Sequence, residues 1–270
     1  MPEKTTPSLP VSAGGQSAYQ VARQAAAEAG QILRKRYGRH NVTRVKGRRD
    51  LVTEADLLSE KTILRIIHAA FPAHGTMSEE DGTRQGDSEY VWIIDPLDGT
   101  NNFHFGLPLF CVNIALARRG EVELGITLDP MRNEIFRAVK GKGAYLNNRR
   151  MGVADVADLA DAVVGVDLGY DAGRSAELLD MSTRLWPKVH CMRLIGSSSL
   201  GMAYVACGRL SLYFHKSLFP WDSASGLLLI REAGGEVTDF SGRRATIDDR
   251  EIVAANPGLA RVFRGWLKQK

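Results

Sequence analysis

Residues 91–103, with the sequence VWIIDPLDGTNNF, constrain the fold of this chain more than any other segment. The apolar run 91–94 predicts a buried strand, and that strand ends on the carboxylate of Asp95. Because Pro96 cannot donate to a strand ladder, Asp95 and Asp98 are expected on a tight turn just past the strand. Two acids and free backbone carbonyls this close together form the oxygen ligand set that Mg²⁺ prefers. The segment therefore predicts a metal site at the end of a buried strand.

Gly99 and Thr100 follow the two acids directly, where a helix would offer its backbone N–H groups to a phosphate. Asp, Pro and Gly are also common turn residues, so an acidic surface turn is the alternative interpretation. A buried strand that delivers both acids, with Gly99 and Thr100 immediately behind them, favours the metal and phosphate site.

The composition is that of a globular protein, with 270 residues of which 44% are hydrophobic and 24% are charged. This length predicts a single domain over 17–270, or two tightly joined subdomains with the joint near 149–161. Residues 1–16 contain Pro, Ser, Gly and Thr without the apolar core of a signal peptide, and we expect a disordered tail there. No apolar run approaches the length of a membrane span.

The net charge of +4 is modest and the basic residues are scattered, which is typical of solvated faces rather than of a nucleic-acid surface. The same charge would attract an anionic substrate such as a phosphate ester. Cys111, Cys191 and Cys207 form no C-x-x-C pair and lie in apolar contexts. We therefore expect reduced thiols in a cytoplasmic protein.

Helical spacing and turn residues divide the chain into mixed elements. A helix is predicted over 17–37 with Gly38 as its cap, and Thr53 caps a second helix that Pro72 ends. Further helices are predicted at 175–185, 197–206, 222–232 and from about 259. Strands are predicted at 110–117, 122–128, 134–139, 162–167, 210–214, 236–239 and 251–254. The glycines at 141 and 143 indicate a hairpin turn.

The sequence DPLDGT at 95–100 resembles the metal-binding signature of the inositol monophosphatase family, which are Mg²⁺-dependent, lithium-sensitive phosphatases. Three further motifs match in the family's order: Lys46-Gly47 with 50–56 (DLVTEAD), 78–81 (SEED), and 221–226 (WDSASG) followed by 232–235 (EAGG). Four motifs in order are far more specific than one. The resemblance implies an α/β protein with a five-layer α-β-α-β-α sandwich, and a homodimer.

The resemblance also implies two to three Mg²⁺ ions and their ligands. Glu79, Asp95 and the backbone carbonyl of Leu97 would hold the first ion. Asp95 would bridge to a second ion that Asp98 and Asp222 complete, and Glu79 with waters would hold a weaker third. Without metal, such convergence of carboxylates raises their pKa values and weakens the fold.

Asp56 and Thr100 match the family's carboxylate–hydroxyl pair, which orients the attacking water and accepts its proton. Glu79 would contribute to catalysis through its metal ions. The alternative for Asp56 is a charge in the first turn of a helix that only balances the helix dipole.

Substrate contacts follow from the same resemblance. The phosphate is expected on the backbone N–H groups of Gly99 and Thr100. Gly196 and Ser197 resemble the family's glycine-hydroxyl segment near the substrate, although Ser197 is alternatively a helix N-cap. Lys46 is either a loop lysine that screens the acids or an exposed residue.

His215 departs from the family pattern, because inositol-specific members carry a glutamate at this distance before the Trp221-Asp222 pair. A carboxylate accepts hydrogen bonds from ring hydroxyls, whereas imidazole accepts with one nitrogen at most. The departure indicates another sugar phosphate, a bisphosphate or a nucleotide phosphate as substrate. The structural alternative is an ordinary histidine at a strand end.

The activity expected from the resemblance is hydrolysis of a small-molecule phosphate monoester, inositol monophosphate or a related sugar phosphate. Its alternatives within the superfamily are fructose-1,6-bisphosphatase, histidinol-phosphate phosphatase and 3′(2′),5′-bisphosphate nucleotidase. A more distant alternative is a non-catalytic, RNA-associated regulatory protein that reuses the fold. The intact set of acids argues against it, since a pseudo-enzyme has no need for clustered carboxylates.

Overall fold

The computed structural model describes residues 9–39, 42–47 and 50–269, and the side chains at 42, 45–47 and 50 lie outside the description. The predicted role of Lys46 and residues 1–8 of the predicted tail therefore fall outside the described residues. Within the described ranges there are seven α-helices: α1 (Ala18–Arg36), α2 (Glu54–Ala70), α3 (Thr100–His104), α4 (Ala172–Leu185), α5 (Ser198–Ala206), α6 (Pro220–Glu232) and α7 (Pro257–Leu267). None of these described helices has the length and apolarity needed to cross a bilayer.

The same described ranges contain fifteen β-strands: β1 (Val42–Gly47), β2 (Asp50–Thr53), β3 (Gly75–Ser78), β4 (Gly82–Arg84), β5 (Tyr90–Asp98), β6 (Cys111–Arg118), β7 (Glu121–Asp129), β8 (Glu134–Val139), β9 (Ala144–Leu146), β10 (Arg149–Arg150), β11 (Val163–Val166), β12 (Cys191–Leu194), β13 (Leu212–His215), β14 (Glu236–Thr238) and β15 (Ile252–Ala255). β1 and β2 form a separate antiparallel hairpin. The larger sheet has the order β10-β9-β8-β7-β6-β5-β3-β4, in which only the β3–β5 pair is parallel. The smaller sheet has the order β12-β11-β13-β15-β14, with β11 parallel to both of its neighbours.

Alternate side chains of β5 point to opposite faces of the larger sheet, and a layer of helices covers each face. Trp92 and Ile94 pack into the core formed with α1 and α2. Ile93 points to the opposite side and packs into the core formed with α5 and α6. All three side chains are at most 1% exposed, so the strand is buried on both faces, as its apolar run predicts.

The smaller sheet is sandwiched in the same way. Tyr213 of β13 joins the core around α5 and α6, whereas Leu212 and Phe214 join the core around α4 and α7. The layers therefore follow one another as α1 and α2, the larger sheet, α5 and α6, the smaller sheet, and α4 and α7. The predicted five-layer sandwich is confirmed.

The start of the described chain is more ordered than its composition indicates. We expected residues 9–16 in a disordered tail, but they form a turn. The Ser12 N–H donates to the Gln16 carbonyl at 2.8 Å, and the Gln16 N–H donates to the Ser12 hydroxyl at 3.1 Å. Leu9 packs against the core beside α1. Ser17 then begins α1 with a capping box that includes Gln20. Local hydrogen bonds and one apolar contact thus fix a segment that is rich in turn residues.

Residues 151–162 carry the chain from the larger sheet to the smaller one, and they overlap the joint predicted near 149–161. The Asn256 side-chain amide holds this connection by donating to the carbonyls of Ala154 at 2.9 Å and Val156 at 2.8 Å. The division into subdomains stays a prediction.

Candidate active site

Three carboxylates converge where β5 ends and α6 begins. Asp95 and Asp98 lie at the end of β5 and are 2% and 8% exposed, and Asp222 lies in the first turn of α6. The strand was expected to end at Asp95, but it continues past Pro96 to Asp98 with an irregularity in its pairing with β6. Oxygen atoms from the three side chains lie within 4.8 Å of one another. Pro220 starts α6 with a backbone angle suited to a first helical position, and the Phe219 N–H donates to the Asp222 carboxylate at 2.7 Å. Two segments far apart in sequence thereby place three acids in one site.

These acids destabilise one another when no cation is present. Burial and the neighbouring carboxylates raise the pKa of Asp95 well above its ordinary value. Burial and the charge of Asp98 raise the pKa of Asp222 to about 8. Burial also raises the pKa of Asp98, although hydrogen bonds from the Ser197 hydroxyl and the Ser199 N–H favour its charged form. An all-oxygen donor set of mutually repelling carboxylates fits a hard divalent cation such as Mg²⁺.

Glu79 approaches the same acids from a neighbouring strand. It follows β3, which runs parallel to β5, and its N–H donates to the Ile94 carbonyl at 3.3 Å. Its side chain lines the same cavity as Asp95, and its charge contributes to the raised pKa of Asp95. The structure thus brings Glu79 to the metal site that the resemblance implies.

A buried glutamate that sequence analysis missed holds the turn that carries Glu79. One carboxylate oxygen of Glu60 accepts hydrogen bonds from the Ser78 hydroxyl and from the N–H groups of Glu80 and Asp81, the latter two at 3.0 Å. Glu60 lies on α2 and is 5% exposed. An acid on the buried face of a predicted amphipathic helix is the signal that would have found it.

Asp56 and Thr100 form the predicted pair. One carboxylate oxygen of Asp56 accepts from the Thr100 hydroxyl at 3.0 Å, and the other accepts from the Thr53 N–H at 2.8 Å. Asp56 therefore caps α2 and contacts Thr100 at once, so the two interpretations of this residue are compatible. Burial raises the pKa of Asp56 to about 6, while its hydrogen bonds to Thr53 and Thr100 limit the rise. The Thr100 hydroxyl also donates to the Leu97 carbonyl at 3.0 Å, so this carbonyl lies beside the pair.

Gly99 is required at its position by two independent constraints. Its φ of +93° lies in the left-handed region, where a side chain introduces strain. An added Cβ would lie 2.9 Å from the Leu109 carbonyl oxygen and 3.2 Å from that of Gly196. Gly99 therefore lets the start of α3 approach the segment that carries Gly196 and Ser197.

The Ser197 hydroxyl binds a carboxylate rather than capping its helix. It donates to Asp98, and Ser197 makes no side-chain cap hydrogen bond to α5. The Ser199 N–H in the first turn of α5 donates to the same oxygen of Asp98 at 2.8 Å. Ser197 thus occupies the N-cap position of α5, but its hydroxyl stabilises a predicted metal ligand instead of capping the helix.

Asp167 is a further residue that sequence analysis missed. It follows β11 and accepts hydrogen bonds from the N–H groups of Ile195 and Gly196, both at 2.6 Å, and from the Tyr213 hydroxyl at 2.9 Å. Burial raises its pKa to about 7, and these three donors oppose the rise. Asp167 thus fixes the Gly196 turn. Nothing local to its sequence distinguishes it from a surface aspartate at a strand end.

His215 lies at the end of β13 and is 3% exposed. Its Nδ1 accepts a hydrogen bond from the Ser217 N–H at 3.0 Å. Burial lowers the pKa of His215 to about 4, so the ring is neutral at neutral pH. The ring lines the same cavity as the acids.

The cavity gathers most of the predicted site residues into one volume of about 370 Å³. The predicted residues that line it are Glu79, Asp95, Leu97, Asp98, Gly99, Thr100, Gly196, His215 and Asp222. Asp56 and Ser197 lie behind this wall, in contact with Thr100 and Asp98 respectively.

Comparisons with known proteins identify the family of this chain. The inositol monophosphatase family matches residues 15–267. An inositol-1-monophosphatase of Mesorhizobium japonicum is 39% identical over 250 residues, covering 91% of this chain and 94% of that protein. The Nus factor SuhB of Pasteurella multocida is 39% identical over 245 residues, covering 89% and 92%. The solved structure of inositol monophosphatase from Anabaena is 34% identical, with a TM-score of 0.82 over 92% of this chain and 94% of that one.

Fold and site together define a phosphatase: a five-layer sandwich with a buried acidic centre suited to divalent metal, beside a carboxylate–hydroxyl pair. The chain belongs to the inositol monophosphatase family. It is a phosphoric monoester hydrolase.

Proposed function

We propose that this protein hydrolyses a small-molecule phosphate monoester with the help of two to three Mg²⁺ ions. The observation that carries the proposal is the convergence of Asp95, Asp98 and Asp222, whose oxygens lie within 4.8 Å of one another. With Glu79 and the Leu97 carbonyl, these residues would hold the ions. Bound Mg²⁺ supplies Lewis acidity and compensates the negative charge of the carboxylates and of the phosphate.

The chain's own residues then position the reactants. The Thr100 hydroxyl and the Asp56 carboxylate are connected by a 3.0 Å hydrogen bond, and together they would orient the attacking water and accept its proton. The pKa of Asp56, raised to about 6 by burial, suits a proton acceptor near neutral pH. The phosphate would lie on the N–H groups of Gly99 and Thr100, with Gly196 at its side and Ser197 behind the wall, bound to Asp98.

The test is phosphate release from a panel of esters with Mg²⁺, with EDTA as the control. Activity should require Mg²⁺ and should fall at high concentrations of Mg²⁺, Ca²⁺ or Li⁺. Li⁺ would act by replacing the ion near Asp222. Full phosphatase activity in EDTA would contradict the metal assignment.

We also propose a homodimer in the cytoplasm. The support is an exposed apolar groove of about 310 Å³ along the smaller sheet, whose lining includes Leu179, Trp186 and Leu194 with 50%, 58% and 61% exposure. The groove lies beside β12, the edge strand of that sheet. Sedimentation equilibrium should give twice the chain mass of 29.6 kDa, and Trp186→Asp should shift the protein to the monomer.

The free state of all three cysteines supports a reducing compartment.

A second candidate function is a regulatory role with RNA, and the name Nus factor of the Pasteurella multocida relative favours testing it. The buried acids oppose a purely non-catalytic role, since they destabilise a site that binds no metal. RNA binding measured at two salt concentrations, beside phosphate release, would separate the two roles.

A further inference from the structure

A second cavity, here called the distal cavity, lies between α1 and the β8–β9 pair and has a volume of about 340 Å³. Phe136 of β8 packs into the core around α5 and α6, so Arg137 beside it points to the opposite face of the larger sheet, which α1 covers. β8 is three strands away from β5 in that sheet. The distal cavity and the cavity of the acidic centre have no described lining residue in common. The two cavities are therefore separate sites.

The side chain of Arg137 in the distal cavity is held by two tyrosines. Its guanidinium carbon lies 4.5 Å from the centroid of the Tyr145 ring and 5.5 Å from that of the Tyr19 ring. Tyr145 lies directly opposite Arg137 in the pairing of β8 with β9, and Tyr19 reaches the guanidinium from α1. Contacts with two rings restrict the guanidinium before any ligand binds, and they leave the N–H groups at its edge available.

Arg209, on the other face of the same sheet, is held by two rings in a similar way but has an anion as its partner. Its guanidinium carbon lies 5.2 Å from the centroid of Tyr204 and 5.8 Å from that of Phe136. Its two terminal nitrogens donate to the Glu134 carboxylate at 2.6 Å and 2.5 Å. The Arg137 side chain, in contrast, makes no hydrogen bond or ion pair with any residue that the structure describes. Arg137 is therefore a preorganised donor whose anion is not supplied by the described part of the chain.

The rest of the lining adds a second cation and amide donors. Arg23 lies four residues after Tyr19 on α1, so the two side chains lie on the same face of the helix. Three asparagines also line the cavity: Asn133, Asn147 and Asn148. The side-chain oxygen of Asn147 accepts from the Ile135 N–H at 3.0 Å, so its NH₂ group is the part left for a ligand. No aspartate or glutamate occurs among the described lining residues, so this wall does not neutralise the two arginines.

The charge and the size of the distal cavity favour a phosphate group as its ligand. A phosphate group has three strong acceptor oxygens and a charge of about −1.5 to −2 at neutral pH. A single carboxylate has one charge and two oxygens, which is too little for two guanidinium groups and the neighbouring amides. The volume lies at the lower end of the range of small-molecule sites, roughly 300–1,000 Å³. The ligand is therefore a small phosphate species rather than a polymer.

We propose that the distal cavity is a second binding site, which holds a phosphate group between Arg137 of β8 and Arg23 of α1. The amides of the lining asparagines would donate to the remaining oxygens. The phosphate group comes either from free inorganic phosphate or from a small phosphorylated molecule whose carbon part contacts the tyrosines. This site is not the site of hydrolysis, and the proposal does not depend on the phosphatase function.

The test is isothermal titration calorimetry of the full chain in EDTA with inorganic phosphate, phenylphosphonate and succinate. Without metal the acidic centre repels anions, so heat of binding in EDTA reports sites elsewhere. One phosphate per chain should bind, and more tightly than succinate. Tighter binding of phenylphosphonate, whose C–P bond a phosphomonoesterase does not hydrolyse, would identify a phosphorylated organic molecule, and otherwise the source is free phosphate. No saturable binding of either phosphorus ligand, or succinate binding as tightly as phosphate, would overturn the proposal.

Variants place the binding in the distal cavity. Arg137→Leu and Arg23→Leu should each raise the Kd for phosphate by about ten- to a hundredfold, the effect of losing a hydrogen bond to a charged group. Asn148→Asp has nearly the same size, adds a negative charge to the wall and should also raise the Kd. Because Arg23 and Asn148 are exposed, these two variants keep the test decisive if Arg137→Leu does not fold.

Arg209→Leu is the matched control, because it also removes a ring-stacked arginine, but one that is paired with Glu134 on the other face of the sheet. This control should leave the Kd for phosphate unchanged. If Arg209→Leu raises the Kd as much as Arg23→Leu does, or if Arg23→Leu and Asn148→Asp both leave it unchanged, phosphate does not bind in the distal cavity.

Discussion

Replacing Glu60 by leucine should damage both the stability and the metal dependence of the protein. The carboxylate of Glu60 accepts three hydrogen bonds from the Ser78–Asp81 turn, two of them from backbone N–H groups. Hydrogen bonds to a charged group contribute about 1.5–3 kcal/mol each in mutational series. Burial raises the pKa of Glu60 and opposes part of this gain. We therefore expect a loss of about 2–4 kcal/mol in the free energy of unfolding.

The same change should raise the Mg²⁺ concentration needed for half-maximal activity. Glu79 lies between Ser78 and Glu80, so a turn without its acceptor no longer fixes the Glu79 carboxylate. Loss of a residue that orients a metal ligand lowers metal affinity by about ten- to a hundredfold. Glu60→Gln retains an acceptor oxygen and should restore most of the Mg²⁺ affinity.

Urea denaturation in EDTA measures the stability, and phosphate release against Mg²⁺ concentration measures the metal requirement. Glu123→Leu is the matched control, because Glu123 is also buried but pairs with Lys140 at 2.9 Å, outside the site. That control should lose stability and keep the wild-type Mg²⁺ requirement. An unchanged requirement in Glu60→Leu would refute the positioning role.

Three further predictions concern the cavity itself. Asp95→Asn should cause the largest loss of kcat of any single change, because Asp95 is assigned to two ions, and phosphate release measures this loss. The melting temperature without metal should hold or rise, because the repulsion between the carboxylates falls, and calorimetry in EDTA measures it. Without metal, stability should fall as pH rises from about 4 to about 8: folding raises the pKa of Asp222 from 3.8 to about 8, so the native state binds more protons across that window. The rise in melting temperature on adding Mg²⁺ should therefore be larger at pH 8 than at pH 5, and a rise independent of pH would contradict the repulsion. His215→Glu should raise kcat/KM for inositol 1-phosphate relative to other esters by about ten- to a hundredfold, which is the effect of one charge-assisted hydrogen bond. An equal change in kcat/KM for all esters would show that His215 has a structural role.

The local parts of the site were predictable from sequence because their signals lie within a few residues. The strand at 91–94 and the capping role of Thr53 appear as expected. The acids do not follow the strand on a tight turn, because β5 continues through an irregularity to Asp98. The helix at 175–185 and the strand at 134–139 also appear, with small differences in the bounds of the helix. Periodicity and capping act over one or two turns, and a single sequence contains that information.

The missed parts depend on contacts between distant segments. Glu60 and Asp167 accept hydrogen bonds from turns 18 to 29 residues away, and no local pattern identifies those donors. Helical periodicity shows only that Glu60 is buried. Seven short strands were also missed: β1, β2, β3, β4, β9, β10 and β12. β12 has only four residues, two of them exposed, and its pairing with β11 defines it more than its composition does.

The most direct test of the acidic centre as a metal site is diffraction from crystals soaked in Mn²⁺, a stand-in for Mg²⁺ with anomalous scattering. We predict strong anomalous peaks between Asp95, Asp98 and Asp222, with a further peak beside Glu79, and their loss in Asp95→Asn crystals. Active crystals that show no anomalous peak at these carboxylates would contradict the account.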